Sequence, residues 1–273
     1  ILGTSGADTL YGTSGDDYID GFEGDDFLFG GEGNEVLVGS AGNDFLDGGA
    51  GPGNDNVDYS KARGSVTANL QTHSARGAAG NDTVLNFEGI AGSSYDDVLV
   101  GDAGGNWIMG RGGNDVIDGG DGFDTANYED ATSGVTVDLV TGQVTGGAGN
   151  DQLFNIEGVF GSDYADLMVG NDGPNIFWGR GGNDTLRGGA GEDSFTGGEG
   201  DDFIDGGEGR FDQVRYDDAG GAVQVNLQLG TATGAAGNDT FVNIENVAGS
   251  HFDDVIIGNA GDSTLQGMGG NDF

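Results

Sequence analysis

Large apolar residues return along this chain every nine positions, and the residues between them are mostly small or polar. Leu10, Ile19, Leu28, Leu37 and Leu46 mark the first run, and Ile108, Ile117, Leu186, Phe195 and Ile204 keep the same phase within later repeats. A helix would need a period near 3.6, and glycine at this density costs about 1 kcal/mol per helical position relative to alanine, so no helix of useful length is expected. Each nonapeptide divides instead into a six-residue turn, Gly-Gly-x-Gly-x-Asp, and a three-residue strand whose middle residue is the large apolar one. GGEGDDFID at 197–205 is a full copy; GSAGNDFLD at 39–47, GRGGNDVID at 110–118 and GRGGNDTLR at 179–187 are near copies. The strand pleat turns the middle residue inward and its neighbours outward.

A larger unit appears three times. It opens on an alternating strand, SVTANL (65–70), GVTVDL (134–139) and AVQVNL (222–227), with the period of two expected of half-buried β structure. It continues with GAAGNDTVLNFEGIAGSSYDDVLVG (77–101), GGAGNDQLFNIEGVFGSDYADLMVG (146–170) and GAAGNDTFVNIENVAGSHFDDVIIG (234–258). Val66 and Val135 lie 69 residues apart, and Val135 and Val223 lie 88 apart. The excess is two nonapeptides plus one residue. Insertion by pairs is what a coil made of two nonapeptides requires, because an odd number would exchange the faces of everything downstream. Residues 1–273 are therefore expected to form one continuous solenoid with an 18-residue coil. Plain nonapeptides fill 1–57, and the larger units fill about 58–126, 127–214 and 215–273.

Composition narrows the reading further. With 61 glycines, 2 prolines and a period of nine, the chain is neither collagen, which repeats every three residues, nor a flexible glycine linker, which would lack the apolar positions. The formal net charge is -39, from 47 acidic and 8 basic residues. Two carboxylates about 4 Å apart repel by roughly 1–4 kcal/mol in water-like to surface-like dielectrics. Such a surface opposes compaction unless something cationic neutralises it. Nucleic acid is excluded as a partner, since phosphate binding needs Lys and Arg. Divalent metal is the natural counter-charge. No run approaches 18 apolar residues, so no transmembrane segment is expected. The absence of cysteine agrees with an exported bacterial protein.

The turn supplies a metal chemistry. Glycines open backbone angles that let successive carbonyls face one space, and calcium takes 6–8 hard oxygen ligands at about 2.3–2.6 Å, many of them backbone carbonyls. The sixth-position aspartate adds an anionic oxygen. These repeats resemble the repeats-in-toxin (RTX) family of calcium-binding nonapeptide proteins, and the resemblance covers almost the whole chain. It implies an all-β, right-handed parallel β-roll (β-solenoid) with several Ca2+ ions in the turns, each between one turn and the turn a coil later on the same side. Carried onto this sequence, Asp8, Asp26 and Asp44 would line one edge, and Asp17, Glu35 and Asp55 the other. Later pairs would be Asp97 with Asp115, Asp166 with Asp184, Asp184 with Asp202, and Asp254 with Asp272; Asp124, Asp193 and Asp212 hold the same position in their repeats. Asp82, Asp151 and Asp239 keep the aspartate within the larger units. Only 15 residues separate Asp82 from Asp97, which calls for one tighter coil. Glu35, Asn106, Asn175 and Ser263 replace the aspartate, so weaker or empty sites are expected there.

Other candidates fit structural roles. Glu88, Glu157 and Glu245 recur in one phrase, N-[FI]-E-[GN]-[IV], and read as a repeat-specific structural acid rather than a catalytic pair. His73 and His251 have no nucleophile to serve, so the chain is not expected to be an enzyme. Asn81, Asn183 and Asn238 open N-x-T sequons, but each is the residue before a turn aspartate. Outward positions are apolar in some coils, notably Phe27, Phe29, Trp107, Met109, Ile176 and Trp178. Either the extra strand of the larger unit folds over them, or they form a self-assembly or partner surface. The functional expectation is a structural, calcium-binding segment of a larger secreted or cell-surface bacterial protein, such as an adhesin, surface layer or filament, exported by a type I route and folding on calcium outside the cell. The alternative is a calcium-binding accessory or secretion module of an extracellular enzyme (protease, lipase or polysaccharide epimerase) or toxin.

Overall fold

A computed structural model describes all of residues 1–273 and contains β-strands of two to six residues and no helix. The strands are short because each nonapeptide leaves only about three residues between glycine turns. The chain divides into two compact units, Ile1–Asn127 with Ala148–Ile156, and Tyr128–Gly147 with Glu157–Phe273.

In the first unit, strands from alternate nonapeptides stack in parallel. One ladder runs through Thr9–Tyr11, Phe27–Gly31 and Phe45–Gly49, with Leu10 opposite Leu28 and Phe27 opposite Phe45. A second runs through Tyr18–Asp20, Val36–Val38, Asn56–Asp58, Gly89–Ala91, Trp107–Met109 and Thr125–Asn127. The register shift of 18 residues is the coil length read from the sequence. Ile19, Leu28, Leu37, Leu46, Ile90, Ile108 and Ile117 are fully buried. Each such side chain contributes roughly 1.5–3 kcal/mol of burial free energy. The chain is thus a parallel β-roll, with its core made from the middle residue of each strand.

The larger unit departs from this coil in a way that corrects two expectations. Val66–Asn69, Ser74–Gly77 and Gly80–Leu85 form an antiparallel meander. Its last strand joins Phe45–Gly49 in parallel, and its first strand joins Val98–Val100. The meander is therefore inserted into the ladder, edge to edge, and does not fold over the outward apolar positions. Asp82 and Asp97 are not consecutive in a row, so their 15-residue spacing implies no tight coil: Asp82 follows Asp44, and Asp97 follows the backbone of Val66. The ladder containing the meander gains two strands that the opposite ladder lacks, and this section buries Tyr59 and Phe87.

The second unit repeats the scheme. Leu167–Val169, Thr185–Ala190, Phe203–Glu208 and Gly237–Val242 stack in parallel. Val223–Asn226, Thr231–Gly234 and Gly237–Val242 form the meander, and Val223–Asn226 continues to Val255–Ile257. The opposite ladder is Gly158–Phe160, Ile176–Trp178, Ser194–Thr196, Gln213–Arg215, Asn246–Ala248 and Leu265–Gln266.

The outward apolar residues have several fates. Phe27 is 51% exposed and lies beside Phe45. Tyr11 stacks on Phe29 at 5.0 Å between ring centroids. Trp178 stacks on Phe160 at 4.2 Å. Trp107 and Ile176 are half-buried. Met109, expected to face outward, is only 4% exposed.

Candidate metal sites

The sixth-position carboxylate does two jobs, one per oxygen. Its first oxygen accepts a backbone N–H from the coil before. Asp26 takes the N–H of Asp8 at 2.8 Å, Asp44 that of Asp26 at 2.9 Å, and Asp115 that of Asp97 at 2.8 Å. In the second unit Asp184 takes the N–H of Asp166 and Asp202 that of Asp184, both at 2.8 Å. On the other edge Asp55 takes the N–H of Glu35 and Asp212 that of Asp193, both at 2.9 Å. Glu88 and Glu245 close these edges by accepting the N–H of Asp55 and Asp212, at 2.9 and 3.2 Å. Their structural role is as read from the sequence.

The second oxygen separates the turns into classes. In Asp26, Asp44, Asp115, Asp184, Asp193, Asp202 and Asp212 it is buried with no hydrogen-bond partner, and in Glu35 both oxygens are. A carboxylate oxygen buried without a partner is strongly disfavoured. Burial is the first cause of the upward pKa shifts in this set. Asp115 and Asp184 are pushed up to about 8 and Asp44 and Asp202 to about 7, with adjacent carboxylates adding to the effect. Glu35 reaches about 7, from burial first and then the nearby Asp55 carboxyl, and Asp193 about 6 from burial and then Asp212. Glu35, expected to be a weak position, is as buried and as unsatisfied as the best aspartates.

These open turns share a backbone signature. Position two takes positive φ in every one, and position four does so in all but the lengthened Asp212 turn, as in Gly31 and Gly33, Gly189 and Gly191, or Gly198 and Gly200. Where position two is not glycine the chain still adopts it, at Phe22, Ser40, Arg111, Arg180 and Met268. Such a residue costs roughly 1–2 kcal/mol. At position four glycine is required twice over: a Cβ on Gly42 would run into the Gly24 carbonyl oxygen of the neighbouring turn. The Asp124 turn has the same signature at Gly120 and Gly122, and the Asp272 turn has it at Met268 and Gly270.

A second class of turns is closed. At Asp97, Asp166 and Asp254 the second oxygen accepts the N–H of Ser93, Ser162 and Ser250, at 2.5, 2.7 and 2.6 Å, and the serine hydroxyl donates to the same carboxylate. Thr4 and Thr13 do the same for Asp8 and Asp17. Asn106 and Asn175 use their side-chain oxygen on the N–H of Asp102 and Asn171 and donate their amides to the carbonyls of Glu88 and Glu157. These side chains, expected to be weaker ligands, are thus already committed to hydrogen bonds.

Asp82 and Asp239 form a third class. Gly77–Gly80 and Gly234–Gly237 are hairpin turns of the meanders, with paired glycines at each end. They share the GxxGxD spelling but not the open backbone. The buried Tyr216 hydroxyl donates to the second oxygen of Asp239 at 3.0 Å. Asp151 accepts the N–H of Asp115 at 3.0 Å. Asp55 sits in the turn lengthened at Pro52 and is buried.

Two recurrent features escaped the sequence reading. Tyr59, Tyr128 and Tyr216 are buried and stand in a repeated Tyr-x-x-Ala phrase ahead of the alternating strand. Position five carries a further ladder on the exposed rim: Asn34 donates to Asp16, Asn43 to Asp25 and Asn114 to Asp96 through backbone and side-chain amides. Asn81 and Asn238 belong to it, donating to Asn43 and Asp201. The N-x-T spelling at these positions therefore follows from the repeat.

Nowhere do three carboxylates or imidazoles converge on one point. An ion in these turns would be held by one or two carboxylate oxygens and otherwise by backbone carbonyls. Such an all-oxygen donor set suits calcium and not a softer transition metal. The buried unpartnered oxygens of the open turns fit a cation of this kind.

The repeat pattern described as "RTX calcium-binding nonapeptide repeat (4 copies)" matches residues 2–34, 29–58, 91–126, 143–154, 160–195, 178–210 and 249–273. Comparison with curated proteins gave no match. The stretches left between the matched segments contain most of the meander strands of the larger units. More than half of the sequence carries the pattern, the fold is the parallel roll it calls for, and the chain belongs to the family of RTX calcium-binding nonapeptide repeat proteins.

Proposed function

We propose that this chain is a structural calcium-binding segment of a larger exported or cell-surface bacterial protein, and that it folds when calcium reaches the open turns. The observation carrying this reading is the set of buried second oxygens on Asp26, Glu35, Asp44, Asp115, Asp184, Asp193, Asp202 and Asp212. Without a cation each of these oxygens is desolvated and must either stay charged without a partner or take up a proton. With calcium they become ligands, and each site at 100 times its dissociation constant adds about 2.7 kcal/mol to folding. Stacked sites coupled through nearest neighbours sharpen the transition, as in other one-dimensional repeats. Calcium modules outside cells commonly bind in the range of about 10⁻⁴ to 10⁻³ M, so the chain would stay unfolded in a low-calcium cytoplasm and fold after export. Its own residues supply a scaffold and no catalytic group. The test is far-UV circular dichroism during a calcium titration. The β signal should appear cooperatively with calcium; a full signal in calcium-free buffer at pH 8 would refute the reading.

A further inference from the structure

In the second unit the row of carboxylates on one edge runs Asp166, Asp184, Asp202, Asp239, each accepting the N–H of the one before it. The two ends differ from the middle. At Asp166 the second oxygen is filled by Ser162, and at Asp239 by the Tyr216 hydroxyl. Only Asp184 and Asp202 keep a free one. Tyr216 comes from the loop that leads into the meander, so it reaches the row from outside the nonapeptide pattern.

We propose that the Tyr216 hydroxyl takes the place of a calcium ion at Asp239 and ends the metal row there, so that this row is two open turns long and closed by a hydroxyl at each end. The proposal rests on the reading of the open turns as calcium sites. Three observations carry it. Asp239 is buried as deeply as Asp184 and Asp202, so its second oxygen also needs a partner. The partner it has is a neutral donor 3.0 Å away, which satisfies the oxygen without adding positive charge. Gly234–Gly237 is a hairpin turn, which lacks the positive φ at position two found in the open turns. In the first unit Tyr59 holds the matching place, but its buried hydroxyl makes no hydrogen bond and the second oxygen of Asp82 is left without a partner, so the closure belongs to the second unit. The first-unit row is Asp8 closed by Thr4, Asp26 and Asp44 open, and then Asp82 with its second oxygen unpartnered. A row bounded by a hydroxyl at each end makes calcium binding local to that row, and the meander hairpin at Asp239 becomes a metal-free end to it.

The test is the calcium content of the full chain at saturating calcium, by equilibrium dialysis and elemental analysis. Asp239→Asn should retain the wild-type content, because the amide still accepts the Asp202 N–H and no ion is lost. Asp202→Asn should lose at least one ion per chain. Tyr216→Phe keeps the buried ring, frees the Asp239 oxygen beside the Asp202 turn, and should gain one ion per chain. Loss of an ion in Asp239→Asn, or unchanged content in Tyr216→Phe, would overturn the proposal while leaving the calcium reading intact. A wild-type chain with no bound calcium would sink that reading, and this proposal with it.

Discussion

Two turns one coil apart on the same edge of the second unit, Gly161–Asp166 and Gly179–Asp184, have the same length and end on the same residue. Asp166 and Asp184 are 4% and 1% exposed, and both hold the preceding coil through a backbone N–H, at 2.7 and 2.8 Å. Yet burial drives Asp184 up to about 8 with nothing on its second oxygen, whereas hydrogen bonds from Val135 and Ser162 counter the burial of Asp166. What separates them is the backbone ahead of the aspartate. Arg180 and Gly182 take positive φ, while Ser162 and Tyr164 do not. These two turns are therefore told apart by the backbone at positions two and four, and the aspartate alone is a ladder element found in both.

The largest break in this comparison should come from glycine. A Cβ on Gly200, at φ +144°, would collide with the Gly182 carbonyl oxygen of the adjacent open turn. Gly200→Ala should cost about 3 kcal/mol or more, combining overpacking with left-handed strain. Gly15, in a closed turn, has nothing within 4 Å of the same added atom and no positive φ. Gly15→Ala should stay within about 0.5 kcal/mol of wild type. Urea denaturation in saturating calcium checks both, and equal losses would mean that the two turn classes are not distinct.

Charge gives the next contrast. Asp184→Asn keeps an oxygen for the Asp166 N–H but loses the anionic ligand, so the calcium midpoint of folding should rise about tenfold, near 1.4 kcal/mol. Asp166→Asn removes a carboxylate already satisfied by serine and should leave the midpoint within about twofold, near 0.4 kcal/mol. Matching shifts in the two variants would put calcium at the closed turn as well.

Protons should imitate calcium at the open turns. The folded-state values of about 8 for Asp115 and Asp184, and about 7 for Asp44 and Asp202, lie above the ordinary aspartate range, with burial the main cause. A carboxyl whose pKa is raised by folding binds more protons folded than unfolded, so its burden on stability is absent below about pH 4 and complete above about pH 8. Calcium-free chain should therefore gain β signal as pH falls from 8 to 5. In calcium the dependence should weaken or reverse, since protons then compete with the ion. Loss of structure on acidifying the calcium-free chain would contradict the buried, unpaired state of these groups.

The parts of the molecule legible in the sequence are those where one residue type has one use. Leu28, Ile117 and Ile204 recur at nine because only a fully buried strand centre needs them, and from them the coil, its 18-residue register and the parallel roll follow. The sixth-position aspartates were legible as a row for the same reason. The division among them was not, because Gly-x-x-Gly-x-Asp spells both an open turn and the hairpin at Gly77–Gly80, and only strand pairing tells them apart. The alternating strand at Val66 was visible, but its antiparallel return through Ser74–Gly77, where Ser74, Arg76 and Gly77 give little apolar pattern, was not. Tyr216 was missed because its partner Asp239 lies 23 residues away across the meander. The closed turns were not legible either, because a serine at position two is one small polar residue among many, although Ser162 sits where its hydroxyl can reach the aspartate four residues on.

That serine offers the finest test of the comparison. Ser162→Ala removes the hydroxyl donated to Asp166 at 2.8 Å but leaves the backbone N–H at 2.7 Å in place. A lost hydrogen bond to a charged group costs roughly 1.5–3 kcal/mol when the acceptor is left bare. Here the remaining N–H contacts keep both oxygens occupied, so the loss should fall below that range, at about 1 kcal/mol. The calcium midpoint should stay where it is, because the closed turn holds no ion to release. Stability read by urea at saturating calcium should fall slightly, while calcium content stays at the wild-type value. A gain of one ion would show that the hydroxyl alone keeps the turn closed, and that the backbone angles at positions two and four follow the ligand and do not select it.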